Sequence, residues 1–195
     1  MKHPVSQYYL LAFLIILMDQ AIKLGVHTFM EPGFPGQIEI IGFFKLHYTL
    51  NPGMAFGMQL GSIYGKLFLT TFRIFAMFGI GYGLYYLHQK KSHDGLLICV
   101  SMILGGAIGN LIDSIFYGKL LGNAPYGAPM EWLHGQVIDM FFFDFWEGVL
   151  PAWIPIWGGT YYSTPIFNFA DATIFCGVVA ILIFQNQFFD KKAKN

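Results

Sequence analysis

Apolar positions along this chain gather into four long runs separated by polar or turn-rich segments. The runs at 8–27, 65–88, 95–117 and 166–188 are long enough to cross about 30 Å of hydrocarbon at about 1.5 Å per residue. The pattern predicts four transmembrane helices, joined by two long connections at 28–64 and 118–165 and a short one between the second and third runs.

The long connections carry a different period. The first opens with the turn-rich EPGFPG and continues FFKLHYTLN, where Phe44, Leu46, Tyr48 and Leu50 alternate with Lys45, His47 and Thr49. Period-two alternation predicts a half-buried strand. The second connection holds all four tryptophans, Trp132, Trp146, Trp153 and Trp157. With Tyr161 and Tyr162 they predict a belt at headgroup level. This connection offers too little polar surface for a separate aqueous domain, and no repeat divides the chain. The expectation is a single integral-membrane domain over 1–195, with an all-α core of four helices and strand structure outside it.

Composition agrees with a polytopic membrane protein. The 195 residues are 55% hydrophobic and 11% charged, where soluble domains carry about a quarter charged residues. Net charge is zero, so nothing points to nucleic acid as a partner. Cys99 and Cys176 both lie in apolar runs and are expected as buried small residues. Lys2 and the apolar run behind it imitate a signal peptide, but Asp19, Gln20 and Lys23 follow where a cleavage site would stand. An uncleaved first helix is expected. Lys2, Lys90, Lys91, Lys191, Lys192 and Lys194 flank one side of the predicted bundle, whereas the long connections with their edges carry only Lys45, Lys66 (at the start of the second run) and Lys119. The positive-inside rule then puts both termini in the cytoplasm and both long connections outside.

That orientation brings the intramembrane polar residues to one depth. Asp19 and Lys23 share a face in the outer half of the first helix. Gly106, Asn110 and Asp113 share a face near the outer end of the third, where Gly105 and Gly109 permit close helix approach. Asn168 and Asp171 fall in the first turn of the fourth helix, and Asp139 lies in the outer connection beside the aromatic run of QVIDMFFF. Arg73 reaches the same layer, and a salt bridge with Asp19 is predicted. Each residue has a plainer reading. Asp19, Lys23, Asn110 and Asp113 would tie helices together, Asp139 would be a loop carboxylate, and Asp171 a first-turn acid favoured by the helix dipole. Asp144 and Glu147 are expected to face water. The convergence, more than any one position, argues for a site.

Five ordered blocks carry a resemblance: DQAIK at 19–23, NPGMAFG at 51–57, GGAIGNLID at 105–113, VID at 137–139 and FNFAD at 167–171. In these the chain resembles the lipoprotein signal peptidase (signal peptidase II) family of integral-membrane aspartic proteases. The resemblance implies a four-helix membrane core with a small β-rich cradle on the outer face. It implies a catalytic pair at Asp139 and Asp171, with Asp19, Lys23, Asn51, Gly53, Asn110, Asp113, Asn168 and Ala170 shaping or supporting the site. It implies no metal and no cofactor, a lipid-modified prolipoprotein as substrate, and a place in the cytoplasmic (inner) membrane. The chain departs from the family pattern in two ways. Ser114 follows Asp113 where the pattern has Arg, with Arg73 a candidate to supply the guanidinium from the neighbouring span. The segments before Asp139 and between Asp139 and Asp171 are also longer than the compact pattern.

Two carboxylates sharing a proton can hydrolyse a peptide bond, one activating water and the other polarising the carbonyl. Which aspartate starts as the base, and the oligomeric state, are left open by the sequence. A small ion- or solute-transporting protein is the alternative, since intramembrane Asp, Lys and Arg also mark ion paths. The apolar inner halves of the spans argue against it. An assembly or lipid-binding protein is a further reading. No HExxH motif occurs, and His27, His47 and His134 are expected as interface or loop residues.

Overall fold

The computed structural model describes residues 3–52, 64–155 and 157–189. Helix α1 spans Val5–Phe29, begins after Pro4 and ends where Met30 turns extended. Helix α2 spans Gly65–Gln89. Helix α3 runs Asp94–Leu120, α-helical to Ile112 and π-helical over Asp113–Tyr117. Among the described residues these three are long and apolar enough to cross a membrane.

The fourth apolar run folds differently from the expectation. Helix α4 covers only Phe169–Ile183, 15 residues or about 22 Å. After a break at Phe184 the chain adds the short α5, Gln185–Phe189. Ile166 and Phe167, counted in the apolar run, are not helical. Phe167 instead pairs with Phe141 in an antiparallel bridge.

Helix α3 is the hub, packing against α1, α2 and α4. Its glycines make this possible. A Cβ on Gly105 would strike the Ala12 carbonyl of α1 at 2.8 Å, and one on Gly106 would overlap the Ala170 carbonyl of α4. A core of Tyr8, Ala12, Leu84, Leu97 and Leu104 fills the end of the bundle away from the polar layer. Helix α2 turns Phe68, Phe72, Phe75, Phe78 and Tyr82 outward, a stripe suited to lipid. Cys99 is buried as expected, but Cys176 is exposed on α4.

Outside the helices, β1 (Ile38–Ile41), β2 (Phe44–Asn51) and β3 (Val137–Phe143) form an antiparallel sheet in that order. The strand expected in FFKLHYTLN is β2. Asp139, expected in a loop, lies in β3 opposite Thr49. Asp144, expected to face water, pairs with Lys45 at 2.5 Å. A second small hairpin, β4 (Glu147–Val149) with β5 (Tyr161–Ser163), bears Tyr161 and Tyr162 and encloses Trp153, which is 80% exposed, whereas Trp132 packs on Phe116.

Gly106→Val should lower the melting temperature in detergent, with an overpacking cost of about 1–3 kcal/mol. Gly83→Ala, where a Cβ meets nothing within 4 Å, should not; equal effects would contradict glycine-set packing of α3 on α4.

Candidate active site

The site is assembled around one ammonium. Lys23 is fully buried in α1 and lies 2.8 Å from both Asp19 Oδ2, one turn back, and Asp113 Oδ2 on α3. Its remaining contact is Asn110 Oδ1 at 2.9 Å. An ammonium has three protons to donate, and three acceptors surround this one. The two carboxylates then reach further. Asp19 Oδ1 accepts the Ala170 N–H at 2.9 Å, satisfying a backbone donor in the first turn of α4. Asp113 Oδ2 accepts the Ile138 N–H of β3 at 3.2 Å. Gly109 leaves room for this arrangement, since a Cβ there would lie 2.5 Å from Asp19 Oδ2.

Two asparagines carry the network to the remaining carboxylates. Asn168 is the N-cap of α4 and its side chain accepts from the Asp171 N–H, while Asp171 returns a bond to the Asn168 backbone N–H. This reciprocal capping box fixes Asp171 at the helix start. The Asn168 amide donates to Asp139 Oδ1 at 2.6 Å and to Asn110 Oδ1 at 3.0 Å. The Asn110 amide donates to Asp171 Oδ1 at 2.7 Å. Asn51, at the end of β2, donates to Asp139 Oδ2 at 2.9 Å. Phe141 and Phe167 exchange backbone bonds of 2.8 and 3.1 Å, which set the start of α4 beside β3. Asp139 and Asp171 are therefore held on either side of Asn168.

Asp139 is 1% exposed. Burial, then the Asp171 charge, push its carboxyl up to about 7, against the opposing pull of Asn51, Asn168 and Lys23. This is the environment in which a carboxyl keeps its proton near neutral pH.

Asp19, Lys23, Asn51, Asn110, Asp113, Asp139, Asn168, Ala170 and Asp171 all join this single network. Gly53 lies outside the described residues. The pairing expected between Arg73 and Asp19 is replaced: Asp19 pairs with Lys23, and Arg73 donates to Ser114 Oγ at 3.3 Å. Sequence reasoning missed Gln20. It donates to Asp19 Oδ2, Asp113 Oδ1 and the Gly109 carbonyl, and accepts from the Tyr117 hydroxyl. Its signal was its place inside DQAIK.

Replacing Lys23 with Met leaves Asp19 and Asp113 buried without their shared cation, at an expected cost of about 3–5 kcal/mol. The melting temperature in detergent should fall accordingly and largely recover in Lys23→Met/Asp19→Asn/Asp113→Asn. An unaltered melting temperature for Lys23→Met would refute the central role of the ammonium.

Comparison with known proteins points the same way. Residues 11–187 match the family model described as signal peptidase (SPase) II. A lipoprotein signal peptidase of Amoebophilus asiaticus is 51% identical over 187 residues, covering 94% of this chain and 79% of that protein. One from Porphyromonas gingivalis is 44% identical over 186 residues, covering 89% and 80%. A bacterial membrane enzyme solved at 2.3 Å shares the fold with a TM-score of 0.63 at 24% identity, over 97% of this chain and 94% of its own. A second, solved at 1.9 Å, gives 0.60 at 25% identity, over 95% of each. With the family match running through nearly every element that builds the carboxylate network, this chain belongs to the signal peptidase II family.

Proposed function

We propose that Asp139 and Asp171 are the carboxylates with which this aspartic endopeptidase removes the signal peptide from diacylglyceryl-modified prolipoprotein, cutting before the lipidated cysteine. The observation that carries the reading is the single Asn168 side chain bonded to both aspartates, to the Asp139 carboxylate and to the Asp171 backbone. Paired carboxylates in a helix-end environment, one raised to about 7, can share a proton across the reaction. Asp139 holds that proton and polarises the scissile carbonyl, while Asp171 accepts a proton from the attacking water. As the tetrahedral intermediate collapses, a proton passes to the departing amine and the pair returns to one proton.

Depth supports the same reading. The polar network gathers at one end of the bundle, at the C-terminal halves of α1 and α3 and the start of α4. The lysine distribution supports placing that end on the outer face of the inner membrane, with both termini cytoplasmic. A diacylglyceryl chain in the outer leaflet would hold the scissile bond at this level, with its signal helix alongside. On this reading α4, continued by α5, serves as the fourth crossing, and Asn51, Asn110, Asn168 and the Lys23 cluster support the pair. The transporter alternative is not favoured, because the other end of the bundle is packed by the apolar Tyr8, Ala12, Leu84 and Leu97 cluster.

Asp139→Asn and Asp171→Asn should each lower cleavage of a purified lipidated prolipoprotein by about 10²–10⁴-fold with melting temperatures retained. Normal cleavage by either folded variant would remove it from the pair. The pH dependence has a definite sign. Folded Asp139 keeps its proton to about pH 7, whereas the ordinary value is 3.8. Turnover should therefore fall as pH rises through about 7, and Asp139's contribution to folding stability should also decline as pH rises from about 4 to 7. A rate that climbs steadily across pH 7 would contradict the assignment of the proton to Asp139.

A further inference from the structure

Helix α2 is the most lipid-exposed of the long helices, yet one stripe of it is polar. Lys66, Thr70 and Arg73 recur at the i, i+4, i+7 spacing that shares a face. That face meets the π-helical turn of α3. Thr70 donates to the Leu133 carbonyl at 2.9 Å. Lys66 Nζ and an Arg73 guanidinium nitrogen each lie 3.3 Å from Ser114 Oγ, so two cations share one hydroxyl. Ser114 donates to the Asn110 backbone carbonyl at 3.0 Å, and the side-chain amide of the same residue donates to Asp171.

Two like charges on one neutral oxygen repel, and burying a cation away from water is costly unless it is compensated. Anions must compensate. Those acting on Arg73 are Asp171 first, then Asp113 and Asp139, whereas among the described residues the carboxylate acting on Lys66 is Asp113. Asp113 is already bonded to Lys23. The charged groups facing one another are Asp19 and Lys23 from α1, Lys66 and Arg73 from α2, Asp113 from α3, Asp139 from β3 and Asp171 from α4. Of the two basic side chains on this face of α2, Arg73 is the one whose compensating anions include both members of the aspartate pair.

We infer that Arg73 is a positioning residue for the reaction, holding the Asp139–Asp171 pair in its singly protonated state from the adjacent helix. This rests on the reading of those two aspartates as the reacting pair. It acts through charge, with Ser114 the contact that holds it against α3, not by touching substrate. Without the guanidinium the pair takes up its second proton more readily, so the acid limb of the rate profile moves to higher pH.

The test is a pH–rate profile for cleavage of lipidated prolipoprotein by the full-length enzyme in detergent, with melting temperatures in parallel. Arg73→Met is expected to lower kcat about 10–100-fold with little change in KM and to move the acid limb up by about one pH unit, a tenfold change in proton affinity. Arg73→Lys should keep the limb near its wild-type position. Arg73→Met/Ser114→Arg, which returns a guanidinium across the 3.3 Å contact, should restore much of the rate and the limb. A slower but unshifted profile for Arg73→Met, or wild-type turnover, would overturn the inference. If Arg73→Met does not fold, Arg73→Gln carries the same expectation; if that also fails, a shifted limb in Arg73→Lys overturns it and an unshifted one supports it. Asp139→Asn and Asp171→Asn are run alongside, and activity in those variants would remove the pair itself, independently of Arg73.

Discussion

Everything in the polar layer depends on a fully buried lysine ammonium. Lys23 is fully buried, and removing such a charge from water is costly unless each of its protons finds an acceptor. Here the acceptors come from its own helix, from α3 at Asp113, and from α3 again at Asn110. Each then uses its remaining capacity beyond its own helix: Asp19 and Asn110 on α4, Asp113 on β3. One desolvated cation thereby fixes the relative positions of the segments that bear the two candidate reacting carboxylates. Desolvation offsets much of the Coulombic gain of a buried ion cluster, and what this one contributes is the geometry it fixes.

The same layer explains why α3 is shaped as it is. A straight α-helix would continue the ridge that begins at Gly105, Gly106 and Gly109. The π-helical turn at Asp113–Tyr117 instead alters the angular spacing where both Asp113 and Ser114 must face inward, and both are fully buried. Such turns accumulate at functional sites because they re-aim side chains without ending the helix.

Much of this was legible in the residues, and the failures have physical causes. Long apolar runs gave α1, α2 and α3 nearly at their observed bounds, and alternation gave β2. Strand β3 escaped because VIDMFFF is buried on both faces and so lacks alternation. The start of α4 was set too early, because Ile166 and Phe167 are as apolar as a helix and only the N-x-x-D capping spacing of Asn168 and Asp171 marks the boundary. Arg73 was assigned to Asp19 from depth alone. Rise per residue gives height in the bilayer but not the direction a side chain takes around its helix, and that direction sends Arg73 to Ser114. Gln20 was overlooked for the complementary reason: an uncharged amide carries no penalty that draws notice.

The backbone bridge between Phe141 and Phe167 closes the chain from 142 to 166 at its base. What lies between, including the Trp-bearing hairpin, is pinned at both ends by the same contact that aligns Asp139 with Asp171. The entropy of closing such a segment rises only slowly with its length. Residues can therefore be added to or taken from this excursion with little effect on the register of the carboxylates. That makes it the part of the molecule most open to divergence, a place where one peptidase scaffold can acquire a new outer surface while its chemistry stays still.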